Sequence, residues 1–312
     1  FVYCVDHETE CLTNRGWMRR DDLRVGDAVI GVDSKGAAVP TKLLGLHIFK
    51  GPQRAIRFSN NTRFSMVLTP GHDALVQSYN SRDQKWQDLR KVKAGELKRS
   101  HHLLRTPTAP VQRPDSVGAD MAALLGWIAA EGNYAKFRNC VHRTNVRITQ
   151  SIKHNPEYVE EIESILRRLG GHYRKFIVKK GEMAIFTLRK PLSDSVRESM
   201  PEKILTWRMA ETMSQTGMGS LVDAFARGDG TLADEGGWVI AQKDTRNLDV
   251  LQAMAIMCGR SATFYPATDS DGGKVAHLYL HKNTLRSHVK ALDQERVEID
   301  GAWCPETESG TW

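Results

Sequence analysis

Two carboxylates carry the most specific chemical signal in this chain. Glu131 closes the run Leu124-Leu125-Gly126-Trp127-Ile128-Ala129-Ala130-Glu131-Gly132, and Asp229 closes Val222-Asp223-Ala224-Phe225-Ala226-Arg227-Gly228-Asp229-Gly230. Each run reads as a helix that stops at its last glycine. An acid there faces the negative end of the helix dipole, which costs a few tenths of a kcal/mol. Small residues four apart, Gly126 with Ala130 and Ala224 with Gly228, share one helix face and let two backbones approach closely. Side-by-side packing then sets Glu131 beside Asp229, like charge against like charge. A divalent cation between them removes both penalties. Mg²⁺ favours a couple of carboxylates completed by water and phosphate oxygens. In that position it activates water and stabilises the leaving oxygen of a phosphodiester.

The second chemical group is sulfur. Cys4, Cys11, Cys140, Cys258 and Cys304 are odd in number and form no CxxC pair, which argues against a disulfide framework and a structural zinc site. Free thiols in a reducing compartment are expected, one of them reactive. Cys140-Val141-His142 lacks the further ligands of a metal centre. The net charge of +7 suits a polyanionic partner. No apolar run approaches the roughly 18 residues of a membrane span, and the start of the chain turns acidic too soon for a signal peptide, so a cytoplasmic protein without a membrane partner is expected.

The 312 residues allow more than one core, and the style of the sequence divides them. Residues 1 to about 104 read as short strands, among them Glu10–Thr13, Ala28–Val32 and Phe64–Leu68, punctuated by Gly16, Gly26, Asn60-Asn61 and Pro70-Gly71. Leu23-Arg24-Val25-Gly26-Asp27 is echoed by Val92-Lys93-Ala94-Gly95-Glu96, as two related β-subunits would produce. The proline-bearing stretch from Thr106 to Asp115 reads as an interdomain linker. Residues 113–292 are mixed α/β. A basic hairpin is expected over Arg138–Gln150. A helix is expected from Pro156, with Asn155 as its cap, to Gly170, and the same order returns as a helix over Leu221–Asp229, a strand at Trp238–Ile240 and a helix over Leu248–Cys258. Ile148-Thr149-Gln150 matches Ile240-Ala241-Gln242, which points to a tandem duplication. Residues 293–312 return to strands and turns.

The duplicated runs resemble the LAGLIDADG homing endonucleases over roughly residues 118–290. The resemblance implies an αββαββα repeat, a pseudo-symmetric monomer that accepts an asymmetric double-stranded DNA site, and β-ribbons in the major groove. It implies Mg²⁺ on the last acid of each motif, Glu131 and Asp229. The candidate DNA-holding residues are Lys136, Arg138, Arg143 and Arg147 in the first copy and Lys274, His277 and Lys282 in the second. Two positions depart from the motif: Glu131 stands for the commoner aspartate, and Arg227 stands where an acid is usual.

The segment Cys4-Val5-Asp6-His7-Glu8-Thr9-Glu10-Cys11-Leu12-Thr13 resembles the first block of an intein, and Thr69-Pro70-Gly71-His72 matches the Thr-x-x-His block of that family. The implied fold is multidomain, β and α+β: an all-β, horseshoe-like Hint splicing domain in two parts, 1–112 and 293–312, with the endonuclease at 113–292. The implied chemistry is attack by Cys4 on the carbonyl of residue 3 to give a thioester, without a cofactor. His72 protonates the departing amide nitrogen and Thr69 positions the bond. Phe1-Val2-Tyr3 then belongs to the host extein. Cys304 stands where the family's penultimate block carries an aspartate, and is read either as a catalytic assistant or as structural. Cys11 is read as core. Inteins end on an asparagine that Ser309-Gly310-Thr311-Trp312 does not provide, so the resemblance implies either a chain truncated before the last block or the large part of a split intein, with a complementary C-terminal intein fragment as its partner. Two alternatives stand beside this reading: a degenerate intein that only binds DNA, and a truncated Hint autoprocessing domain, against which the duplicated α/β region counts.

Overall fold

The computed structural model describes residues 4–60, 64–108, 110, 113–137, 140–233, 236–267, 275–282 and 285–312, with backbone alone at 136, 137 and 140–144. It is mixed α/β with mostly strands. The chain forms two compact units: Phe1–Val111 with Gly259–Thr263 and His281–Trp312, and Gln112–Cys258 with Phe264–Leu280. No helix among the described residues is long and apolar enough to cross a membrane.

The first unit opens with short strands, β1 (Cys11–Thr13), β2 (Gly16–Met18) and β3 (Ala28–Val32), and then one long strand, β4 (Ala38–Asn60). There follow β5 (Phe64–Leu68), β6 (Asp73–Gln77), the small hairpin β7 (Tyr79–Asn80) and β8 (Lys85–Trp86), then β9 (Arg90–Lys93) and β10 (His102–Leu104). The expected linker is not a free spacer at its start. Thr106 is buried, and the Thr108 amide donates to the Gly36 carbonyl at 2.7 Å.

Two copies of one pattern follow, within the second unit except for 261–263 and His281, which cluster with the first. The first copy is α1 (Ala119–Glu131), β11 (Gly132–Phe137), β12 (Cys140–Ser151), α2 (Pro156–Arg168), β13 (Tyr173–Val178), β14 (Met183–Leu188) and α3 (Leu192–Ser199). After α4 (Trp207–Thr212), the second copy is α5 (Gln215–Asp229), β15 (Gly230–Leu232), β16 (Trp238–Gln242), α6 (Arg246–Met257), β17 (Ser261–Tyr265) and β18 (Ala276–His281). The sheets have matching orders, β11-β12-β14-β13 and β15-β16-β18-β17. Their registers match too: Gly132 faces Ile148 and Gly230 faces Ile240.

Burial explains the helices. Ala122 to Ala129 of α1 are all buried, as expected of a helix apolar on every side. Burying side chains such as Leu125 and Ile128 stabilises the unit by about 1.5–3 kcal/mol each. By contrast α2 is amphipathic, burying Val159, Ile162, Ile165 and Leu166. Asn155 precedes Pro156 as expected, but its side chain does not cap the helix. It donates instead to Gln150 Oε1 at 3.2 Å. α5 begins at Gln215 rather than at Leu221, because Ser214 Oγ accepts from the Gly217 amide at 3.1 Å.

The chain returns to the first unit with β19 (Arg286–His288), which pairs with β10, and β20 (Asp293–Thr307), which pairs with β4 along nearly its whole length. The return therefore precedes residue 293, the boundary expected from composition. The sheets of this unit are β2-β1-β3-β4-β20, with β5 also on β4, and β19-β10-β6-β9. Val5, Leu43, Phe58, Leu68, Val76, Leu103 and Trp303 pack in the core between them.

Candidate functional site

In the second unit, α1 and α5 meet through their small residues. A Cβ added at Gly126 would fall onto the Leu221 carbonyl oxygen and 2.9 Å from Ala224 Cβ. One added at Gly228 would stand 2.6 Å from Ala130 Cβ. The contact is reciprocal: each helix offers a glycine to the other's alanine. Both helices also end in the same way. Gly132 and Gly230 are extended, with φ of −75° and −101°, and lead straight into β11 and β15. A side chain at either would strike a carbonyl oxygen of the last helical turn, so space rather than a left-handed φ requires glycine there.

This packing delivers Glu131 and Asp229 to one place. Burial, and then the charge of Asp229, hold the Glu131 carboxyl above its ordinary range, while Lys203 opposes both. Lys203 is half-buried. Burial lowers its ammonium pKa, and the two carboxylates pull it back up. Its Nζ donates to the Ala130 carbonyl at 3.3 Å from a backbone with φ of 62°. Gln242 Nε2 donates to Asp229 Oδ2 at 2.7 Å. The equivalent Gln150 turns to its own strand end and accepts from the Ser151 amide at 2.8 Å. Among the described residues no three His, Cys, Asp or Glu side chains cluster as metal ligands. The donor set is thus two carboxylates under mutual repulsion, which fits Mg²⁺ completed by water and phosphate oxygens. Neither Lys203 nor Gln242 was legible as a site residue. Lys203 comes from the loop between α3 and α4, outside both motifs; the repeat of Ile-x-Gln was the one available hint for Gln242.

Arg227, the departure within the motif, is matched by a partner on α2. Its guanidinium donates to Glu161 Oε1 at 2.8 Å and lies 5.9 Å from the Trp127 ring centroid, and Trp127 Nε1 donates to the same oxygen at 3.2 Å.

The sheet faces away from these helices follow from strand register. In the first copy Asn133, Arg147, Thr187 and Arg174 stand in one row across β11, β12, β14 and β13. The neighbouring row, through Gly132, Ile148 and Phe186, is the core side, so Arg147 and Arg174 face outward. In the second copy His277 pairs with Ala241, and Tyr279 with Val239, again on the side opposite buried Ile240 and Leu278. Lys282 follows β18 and is exposed. Lys136 and Arg143 lie on β11 and β12, where the backbone alone is described; Arg138 and Lys274 lie outside the described residues.

In the first unit the thiol site forms around Cys4. The Cys4 nitrogen, shared in a peptide bond with residue 3, donates to Thr69 Oγ1 at 2.9 Å. The Thr69 amide donates to the Cys4 carbonyl at 2.9 Å, and its hydroxyl reaches the same oxygen at 3.2 Å. Thr69 is buried, and the turn it opens closes with the His72 amide on the Thr69 carbonyl at 2.9 Å. The His72 ring meets Trp312 edge-on at 6.4 Å, and Trp312 packs on Trp303 at 5.5 Å.

Cys304 lies beside Cys4. A hydrogen bond from the Cys4 thiol lowers the pKa of Cys304, burial opposes this, His47 helps and Glu306 hinders. The same hydrogen bond, then burial, then the charge on Cys304 raise the pKa of Cys4 far above the thiol range. His47 Nε2 lies 2.9 Å from Glu306 Oε2. Cys304, His47, His72, Leu68 and Trp312 line one cleft of about 500 Å³. Cys11 is buried in the core.

No protein-family model matches the sequence, and no curated protein matches it. Among solved structures, the chain is similar to mesophilic variants of the homing endonuclease I-DmoI, with 17% identity, 53% of this chain and 89% of that one covered, and a TM-score of 0.40. It is similar to the homing endonuclease I-WcaI bound to its DNA recognition sequence, with 10% identity, 54% and 78% covered, and a TM-score of 0.33. It is also similar to a splice-inactive variant of the AceL NrdHF class 3 split intein, with 8% identity, 60% and 99% covered, and a TM-score of 0.28.

Proposed function

We propose that the chain is an intein whose splicing domain carries a LAGLIDADG homing endonuclease: a Mg²⁺-dependent nuclease for double-stranded DNA joined to a self-processing acyl-transfer domain. The observation that carries the nuclease reading is the reciprocal glycine–alanine packing of α1 and α5, which delivers Glu131 and Asp229 together. Mg²⁺ held by these two acids would supply Lewis acidity and an activated water at the phosphodiester. Lys203 offers a positive charge beside the acids for charge that develops on the phosphate, and Gln242 orients Asp229. The outward register positions of Arg147, Arg174, His277 and Tyr279 support a reading in which these sheet faces would lie against DNA.

The acyl-transfer reading rests on the contact between Thr69 Oγ1 and the Cys4 nitrogen, the atom that an N-to-S acyl shift must release. In this reading Cys304 takes the Cys4 proton as the thiol attacks the carbonyl of residue 3, and His72 protonates the nitrogen. The host extein precedes Cys4. The asparagine-bearing last segment of an intein would seat in the cleft between Cys304, His72 and Trp312.

Both readings have a direct test. A random DNA pool is selected on the protein without metal, and the recovered sequences are then incubated with Mg²⁺. A double-strand break in one recovered site, lost in Glu131→Gln and in Asp229→Asn, supports the nuclease; binding without any cut leaves the DNA-binding alternative. For the acyl step, a reporter protein joined ahead of Phe1 is treated with dithiothreitol. Release at Cys4, absent in Cys4→Ala, supports the shift, and an intact fusion refutes it.

A further inference from the structure

Val5 and Trp303 exchange both backbone hydrogen bonds, Val5 N to Trp303 O at 2.9 Å and Trp303 N to Val5 O at 3.0 Å, in an antiparallel bridge. That makes them a hydrogen-bonded pair, and the next pair along, Cys4 with Cys304, is of the narrow, non-hydrogen-bonded kind. Facing Cα atoms in such a pair lie about 4.5 Å apart, with both side chains on one face of the sheet. Disulfides span Cα separations of about 4.4–6.8 Å, so no backbone movement is needed to join the two sulfurs. Their contact through a thiol hydrogen bond agrees with this register. On the far side of Cys304, β20 pairs it with His47 of β4, so the three side chains stand in one row.

From this geometry we infer that Cys4 and Cys304 form a reversible disulfide that withholds the Cys4 nucleophile under oxidising conditions. The regulatory consequence rests on the acyl-transfer reading above; the disulfide itself does not. The oxidant is a low-molecular-weight disulfide. Cys304 is partly exposed in the cleft and open to the small disulfide, whereas Cys4 is fully buried. The Cys304 thiolate attacks one sulfur of the small disulfide, whose S–S bond breaks and releases one small thiolate. Cys4 then loses its proton and attacks the Cys304 sulfur, releasing the second. Two protein thiols are oxidised and one small disulfide is reduced to two thiols. With its sulfur in the bond, Cys4 has no lone thiolate to direct at the carbonyl of residue 3.

The test uses the full chain with a reporter ahead of Phe1, exposed to 2-hydroxyethyl disulfide. Peptide mapping without reduction is expected to find the Cys4 and Cys304 peptides joined. Hydroxylamine cleaves thioesters and leaves disulfides intact, while tris(2-carboxyethyl)phosphine reduces disulfides and leaves thioesters intact. Oxidised protein is expected to lose hydroxylamine-induced release, and prior phosphine treatment to restore it. In Cys304→Ser the release, at whatever level that variant has, is expected to be the same before and after oxidation. A Cys11–Cys304 link, a stable mixed adduct on Cys304 alone, or two cysteines still open to alkylation would overturn the inference. A mapped Cys4–Cys304 bond with no hydroxylamine release even from reduced protein would leave the disulfide standing and sink the acyl-transfer reading instead.

Discussion

Thr69 Oγ1 accepts a hydrogen bond from the Cys4 amide at 2.9 Å, and the donor is the nitrogen of the peptide bond that precedes the thiol. The hydroxyl is held there by the backbone bond of Thr69 to the Cys4 carbonyl, against the atom that the proposed acyl shift would release. Thr69→Ala is therefore expected to slow dithiothreitol-induced release about tenfold, the rate equivalent of a net hydrogen bond of roughly 1.4 kcal/mol, and Thr69→Ser to retain most of the rate. Timed gels of reporter release at fixed pH measure both.

Glu131 sets the sign of a pH effect on stability. Burial and Asp229 raise its folded pKa, so the ionised carboxylate costs stability at neutral pH without metal. That cost is relieved as pH falls through the raised folded value and is gone below the unfolded one, the reverse of a salt-bridged carboxylate. Thermal melts in EDTA are expected to place Glu131→Gln above the wild type at pH 7, with the gap closing as the pH enters the ordinary carboxylate range. Added Mg²⁺ is expected to raise the wild-type Tm and leave Glu131→Gln combined with Asp229→Asn unmoved.

Gly126→Ala tests the helix contact. Alanine favours a helix over glycine by about 1 kcal/mol. Here the added methyl meets the Leu221 carbonyl oxygen and Ala224, and overpacking of that kind costs about 1–3 kcal/mol. A net loss of stability in urea unfolding is expected, accompanied by weaker DNA cleavage; a gain would mean that α1 and α5 can move apart.

Lys203→Met and Arg147→Ala separate chemistry from binding. Lys203→Met is expected to cut the cleavage rate by at least about a hundredfold with DNA affinity nearly unchanged, because in the proposed nuclease reaction its charge would act on the reacting phosphate. Arg147→Ala is expected to weaken DNA binding and to flatten its salt dependence by about one unit of slope if the contact is to a phosphate. Single-turnover cleavage and binding titrations across a salt series distinguish them.

Helices announced themselves where burial and spacing agreed. The ends of α1 and α5 at Glu131 and Asp229, and the start of α2 at Pro156, are read directly from the sequence. The strands Ala28–Val32 and Phe64–Leu68 were legible as apolar runs between turns. The long ribbon of β4 with β20 was not. Gly45, Gly51 and Pro52 look like turns, and the partner strand that keeps β4 extended lies at the far end of the chain. The hairpin expected from Arg138 begins instead at Gly132, with no connecting loop after α1, because the glycine turns from helix to strand within one residue. Cys4, Thr69 and Cys304 were found through motif resemblance, whereas the direct contacts among them depend on strand pairing. Lys203 carries no periodic or motif signal and Gln242 only the repeated Ile-x-Gln, and it is the folded chain that makes them neighbours of the acids.

The bridge between Val5 and Trp303 also sets the time at which the thiol site comes into being. Cys4 is held on one side by Thr69 and on the other through residues near Trp303, which leave the ribosome only after the whole second unit has been synthesised. Contacts of such sequence separation form late in folding. If Cys4 performs the proposed acyl shift, a nascent chain carries it without the strand that faces it, and release waits until that strand has paired.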